Sequence, residues 1–213
     1  MTFRAPELDA NFDDGSTVAL SHAAAALDNG TIDRARAIYA SLATDPHGAG
    51  QPLITGIGLA VCHARQRAWG EAEAVLVPLA GREPASGIVR AYLGAVRFEQ
   101  GQIDQAREDL DLAVTLAPED PVVFIKRGEV ALRVGLLRAA LADFQQAARL
   151  PAPDTITRDY VRTMVISTRK ELESSIERAI PEPRNLWRRL RRPSQREGAS
   201  ASLPPGVAAG RGQ

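Results

Sequence analysis

The chain has one cysteine, Cys62, in 213 residues. A lone thiol excludes an internal disulfide framework and a multi-thiolate zinc site, so nothing here requires an oxidising compartment. Histidine is scarce as well. His22, His47 and His63 have no acidic or cysteine partner at metal-ligand spacing, and side chains one residue apart on a helix, such as Cys62 and His63, diverge by about 100°. Cys62 therefore reads as a small packing residue. The one glycine pair that could open a phosphate loop, Gly56-Ile57-Gly58, has Val61 at the third glycine position and no strand-helix-strand context, which rejects a dinucleotide site. No catalytic, metal or cofactor site is expected, and the chain does not read as an enzyme. No stretch approaches the ~20 apolar residues of a membrane span. Met1 to Gly15 is acidic and has no apolar core of signal-peptide length, so residues 1–15 are expected to form a flexible leader on a cytoplasmic, bacterial protein.

An excess of one charge sign is also missing: 26 basic residues face 26 acidic ones. A folded nucleic-acid binder normally carries a strong basic excess. The total nevertheless hides two parts, because residues 1–181 hold 19 basic and 24 acidic residues and residues 182–213 hold 7 and 2.

What the chain does have is a period. Ala72, Ala106 and Ala140 are 34 residues apart, as are Leu76, Leu110 and Phe144. Gly94 and Gly128, Gly101 and Gly135, Ala113 and Ala147, and Leu116 and Leu150 share the same offset. A fixed period of this length announces a solenoid. Gly30, Ala35, Tyr39 and Leu42 add an earlier copy once three extra residues are placed in the loop TDPHGAGQP. Within each unit apolar residues recur at three- and four-residue spacing on both sides of a short polar turn, so each unit reads as two helices. Asp120-Pro121 opens a unit with an N-cap acceptor followed by a proline whose missing N–H costs nothing in the first turn. Gly94, Ala106 and Ala113 are expected where antiparallel helices approach closely, and no single pair could bury its apolar face, so the units must stack.

These residues resemble the tetratricopeptide repeat. Residues 87–120 supply Leu93, Gly94, Ala106, Leu110, Ala113 and Pro118 of that pattern, with Arg90 and Arg97 where bulky residues are usual. Residues 121–154 supply Phe124, Gly128, Ala140, Phe144 and Ala147, with Arg127 departing from it. Residues 53–86 keep Leu59, Ala60, Ala72 and Leu76 but have Arg67 for the turn glycine, and residues 16–49 match less. The resemblance implies an all-α, right-handed helical solenoid over residues 16–154. Residues 155–180, apolar at Tyr160, Val161, Met164, Val165, Leu172, Ile176 and Ile180, read as a capping helix with Arg169, Lys170, Glu171, Glu173 and Glu177 outward. Residues 181–213, with five Pro and four Gly, read as a disordered basic tail. The acidic run Glu108, Asp109 and Asp111 reads as a solvated helix face.

In that family the first helix of each unit lines a concave groove. Carried over position by position, the groove would comprise Ile54, Ile57 and Val61, then Ile88, Ala91, Ala95 and Phe98, then Val122, Ile125, Glu129 and Leu132. Arg65, Glu99 and Arg133 would be its other charged members. So apolar a surface seldom stands without a partner, and the resemblance implies a protein ligand, a peptide or an amphipathic helix. Self-association of the chain is left open. The Lys and Asn pair with which chaperone-binding relatives clamp a terminal carboxylate is absent. A narrower resemblance is to bacterial type III secretion chaperones of hydrophobic translocators, carried by Gly58-Leu59-Ala60-Val61-Cys62, Trp69 and Ala72. The chain is thus expected to act as an adaptor or as an assembly or secretion chaperone. The alternative is a scaffold drawn to an anionic membrane surface or nucleic acid by residues 184–196, through Trp187, Arg188, Arg189, Arg191 and Arg192.

Overall fold

A computed structural model describes residues 15–44 and 52–179. The expected leader and the basic tail with Trp187, Arg188, Arg189, Arg191 and Arg192 lie outside them. The chain divides into two units, Met1–Glu173 and Ser174–Gln213, of which the second is described only over residues 174–179. The described residues contain helices and no strand. They run α1 (Gly15–Asp28), α2 (Ile32–Thr44), α3 (Pro52–Arg65), α4 (Trp69–Arg82), α5 (Gly87–Glu99), α6 (Ile103–Leu116), α7 (Pro121–Arg133), α8 (Leu137–Arg149) and α9 (Thr155–Ala179).

The helix boundaries follow from local chemistry. The Ser86 hydroxyl accepts from the Val89 N–H (3.4 Å) to start α5, and Asp120 Oδ1 accepts from the Val122 N–H (2.8 Å) to start α7 at Pro121. Each first helix ends in a left-handed residue, Gly30 (φ 75°), Arg67 (φ 60°), Gly101 (φ 82°) or Gly135 (φ 81°). That conformation turns the chain back on itself, and three of the four positions use glycine because it has no Cβ to clash.

Small residues bring the hairpin partners together. A Cβ on Gly94 would lie 2.8 Å from Leu110 Cγ and 2.9 Å from the Ala106 carbonyl oxygen, so α5 and α6 touch at backbone level there. Ala106 and Ala113 are fully buried beside them, as expected for a close approach. Gly128 meets Phe144 in the same way between α7 and α8. From α1 to α8 each helix packs chiefly on its neighbours in chain order, and first helices also pack on one another: α1 with α3, α3 with α5, α5 with α7. One apolar cluster runs from Leu20 in α1 through Tyr39, Val61, Cys62 and Leu76 to Val96 in α5, and a second joins Ala91, Phe124, Ile125 and Ala147 to Val161 of α9. Along α9, Val161 is buried and Met164 and Val165 pack beside α7 and α8, whereas Ile176 is exposed, against the expectation that it lies on the inner stripe.

One sequence expectation is overturned. Asp109, read as part of a solvated acidic face, is 4% exposed. Its carboxylate accepts from Arg90 Nη1 (3.1 Å) and Arg97 Nη1 (2.7 Å), while Arg97 Nε donates to Glu73 (3.0 Å). One repeat later, Arg127 grips buried Asp143 through Nε (3.0 Å) and Nη2 (2.8 Å) and extends Nη1 to Asp111 (3.1 Å). The arginines that depart from the repeat pattern thus stitch neighbouring helices together. Burial works against the charge on Arg97, but its bonds to Glu73 and Asp109 prevail and hold that charge more firmly than usual.

Candidate functional site

The groove residues implied by the repeat pattern lie on α3, α5 and α7, and burial sorts them into two classes. Ile57, Val61, Ala91, Ala95, Ile125 and Glu129 are buried, with Ile57, Val61, Ala91 and Ala95 at 1% exposure or less. This corrects the expectation that they offer surface to a partner. The reason lies in the small residues of α5: Ala91 packs in one cluster with Ile125 and Phe124 of α7, and Ala95 in the other with Ile57 and Val61 of α3. Those positions form the seams between successive first helices. Ile54, Ile88, Phe98, Val122 and Leu132 remain half-buried and open to solvent.

The charged members of this face are organised between repeats. Arg133 pairs with Glu99, 34 positions earlier, and its guanidinium stands 5.2 Å from the Phe98 ring centroid. Arg65 Nη1 donates to the Leu27 carbonyl at the end of α1 (2.6 Å), where a cation meets unsatisfied helix carbonyls. Lys126, 2% exposed, donates to Glu129 Oε2 (3.3 Å) and sits 5.2 Å from the Tyr92 ring centroid. Glu129 Oε1 accepts from the Tyr160 hydroxyl of α9 (2.6 Å). This buried knot joins α5, α7 and α9. Glu129 and Tyr160 stand out in the sequence as a groove position and an apolar helix position; Tyr92 and Lys126 are 34 positions apart and on that ground alone belong to one column.

Two clefts open on this side. The larger, about 580 Å³, lies between Ile88 and Tyr92 of α5, the turn Leu116–Val122, and Pro151, Pro153, Asp154 and Thr157 at the start of α9. The smaller, about 190 Å³, is lined by Arg65, Tyr92, Val122, Ile125, Lys126, Ile156, Thr157 and Tyr160. They share Tyr92, Val122 and Thr157 and so adjoin.

Burial pushes the Cys62 thiol up to about 11, away from nucleophilic range. His63 is held below its ordinary value, first by burial and then by Arg36. Among the described residues no group of three His, Cys, Asp or Glu is placed to hold a metal ion, and no helix is long and apolar enough to cross a membrane.

No protein-family model matches the chain, and no curated protein matches its sequence. Solved structures do. The crystal structure of the APC/C hetero-tetramer Cut9-Hcn1 is similar over 75% of this chain and 31% of that chain, at 19% identity and a TM-score of 0.61. MamA AMB-1 is similar over 70% of this chain and 79% of that chain, at 22% identity and a TM-score of 0.42. A tetratricopeptide repeat protein from Parabacteroides merdae is similar over 73% and 71%, at 15% identity and a TM-score of 0.47. The chain spans less than a third of the first of these, and at 19% identity that likeness shows the fold.

Proposed function

We propose that this chain, whose fold is that of a tetratricopeptide-repeat-like helical solenoid, is a non-enzymatic protein–protein interaction module. It holds a peptide or amphipathic helix of its partner against the face of α3, α5 and α7. One observation carries this reading: Ile54, Ile88, Phe98, Val122 and Leu132 stay half-open along that face while the residues between them are packed away. A row of partly exposed apolar side chains on a rigid scaffold suits side-chain pockets spaced along a partner segment.

The test follows from the same sorting. Ile57→Asp would break the core, so the informative variants are Phe98→Asp and Leu132→Asp. Each is expected to remain helical by circular dichroism and to lose one defined partner that the unaltered chain retains, with at least a tenfold weaker Kd on reconstitution from purified components. Unchanged affinity in both variants, or turnover of a substrate by the purified chain, would sink the proposal. Within it, the adaptor and chaperone roles separate by the partner's behaviour: an assembly or secretion chaperone is needed to keep its partner soluble on co-expression, and an adaptor is not. The residues that resemble type III secretion chaperones, among them Gly58, Cys62 and Ala72, are buried packing positions here, and that narrower role stands or falls on the co-expression result.

A further inference from the structure

The larger cleft is apolar over most of its wall, through Ile88, Tyr92, Leu116, Pro118, Pro121 and Val122, and it carries three carboxylates with no cation among its lining residues. Elsewhere in the described residues half-buried and buried carboxylates are matched. Glu73 and Asp109 meet Arg97, Asp143 meets Arg127, Glu99 meets Arg133 and Glu129 meets Lys126. In the cleft, Asp154 is engaged by the Thr157 hydroxyl on the α9 side (3.0 Å). Asp120 is half-buried, spends Oδ1 on capping α7, and meets no cation; Glu119 stands exposed next to it, likewise without one. Burial holds the Asp120 carboxyl above its ordinary range despite the Val122 N–H, the condition that a nearby cation would relieve. A volume of about 580 Å³ lies within the usual range for a ligand-holding cleft.

We infer that this cleft anchors the partner segment, taking one large apolar side chain between α5 and the α6–α7 turn, with an adjacent arginine or lysine facing Glu119 and Asp120. The inference rests on the interaction-module reading and deepens it. The partner is committed as an extended protein segment because the cleft is open to solvent, adjoins the smaller one at Tyr92, Val122 and Thr157, and pairs an apolar wall with carboxylates that a basic side chain would complement. An arginine fits the rim in particular, since its planar fork reaches two carboxylates while its neighbour stays buried.

The probe is a fluorescein-labelled Gly/Ser peptide containing one Trp-Arg pair, titrated by anisotropy against the full chain. Controls carry Trp-Glu or Ala-Arg. The Trp-Arg peptide is expected to bind and each control to bind at least about fivefold more weakly, with the affinity falling as salt is raised. Glu119→Gln with Asp120→Asn removes both rim charges while keeping an N-cap acceptor at 120. That variant is expected to weaken the Trp-Arg peptide about fivefold or more, to flatten the salt dependence, to weaken any residual binding of the Ala-Arg control, which keeps the arginine, and not to weaken the Trp-Glu control. Equal binding of all three peptides, or an unchanged Kd in the double variant, overturns the cleft as the anchor and leaves the module reading intact, because the Phe98 and Leu132 variants test that separately. Failure of the peptide to bind at all, while a natural partner is still held, overturns it too. Should the double variant lose helicity, Glu119→Gln alone, at an exposed position, decides the same question.

Discussion

Arg67 occupies the left-handed turn position that glycine holds in the other three hairpins, at φ 60° with a full side chain. For a non-glycine residue that conformation costs about 1–2 kcal/mol, and glycine would return part of the gain through its larger unfolded-state entropy. Arg67→Gly is therefore expected to stabilise the chain by about 0.5–1 kcal/mol, read as a higher urea midpoint at unchanged m-value. Cys62 gives a second test at this scale. It is fully buried between α3 and its neighbours, and burial pushes its thiol up to about 11 from the ordinary 9.0. At pH 8 its reaction with a soluble disulfide reagent is expected to be about a hundredfold slower in the native chain than in urea. Because the folded value is the raised one, the stability that Cys62 contributes is complete below about pH 9 and is lost as pH rises from 9 toward 11. Both residues were visible in the sequence, one as a departure from the turn glycine and one as a packing thiol. Their neighbours were not.

At the scale of the element, the paired arginines and aspartates decide how α5 sits on α6 and α7 on α8. Asp109 and Asp143 are 34 positions apart, both buried, and each is bound from the first helix of its own hairpin. Asp109→Asn keeps the shape and removes the charge, leaving Arg90 without its carboxylate and Arg97 with Glu73 alone in a partly buried site. The expected loss is about 2–3 kcal/mol by urea unfolding, whereas Glu108→Gln one position away, on the exposed side of α6, should stay within about 0.5 kcal/mol. The pair of variants separates a buried pairing role from general surface charge. Charge counting along the acidic run does not say which side of a helix each carboxylate faces, and Asp109 faces inward. The repeat of Asp at a 34-residue offset carried that information, since a solvated residue has no reason to keep register with the core.

At the scale of the described molecule, helices that pack chiefly on their neighbours make stability close to a sum of hairpin and interface terms. Helices α5 and α6 are flanked by hairpins on both sides and are expected to show the slowest native-state amide exchange, with protection falling toward the α1–α2 hairpin, which among the described residues meets another hairpin on one side only; exchange followed by mass spectrometry checks this, and uniform protection would contradict it. The sequence by itself determined the helical hairpins, their 34-residue register, the turn positions, the caps at Asp120-Pro121 and a further long helix after the last hairpin, because each depends on contacts within about one repeat and on spacings that a linear pattern records. Only the tertiary structure decided which residues of the predicted groove remain open. Ala91 and Ala95 are small enough for α3 and α7 to close over them, taking Ile57, Val61 and Ile125 into the seams, and Tyr160 from α9 reaches Glu129 from 31 residues away. Exposure is a property of what lies across from a residue, and for these positions the facing atoms come from other helices.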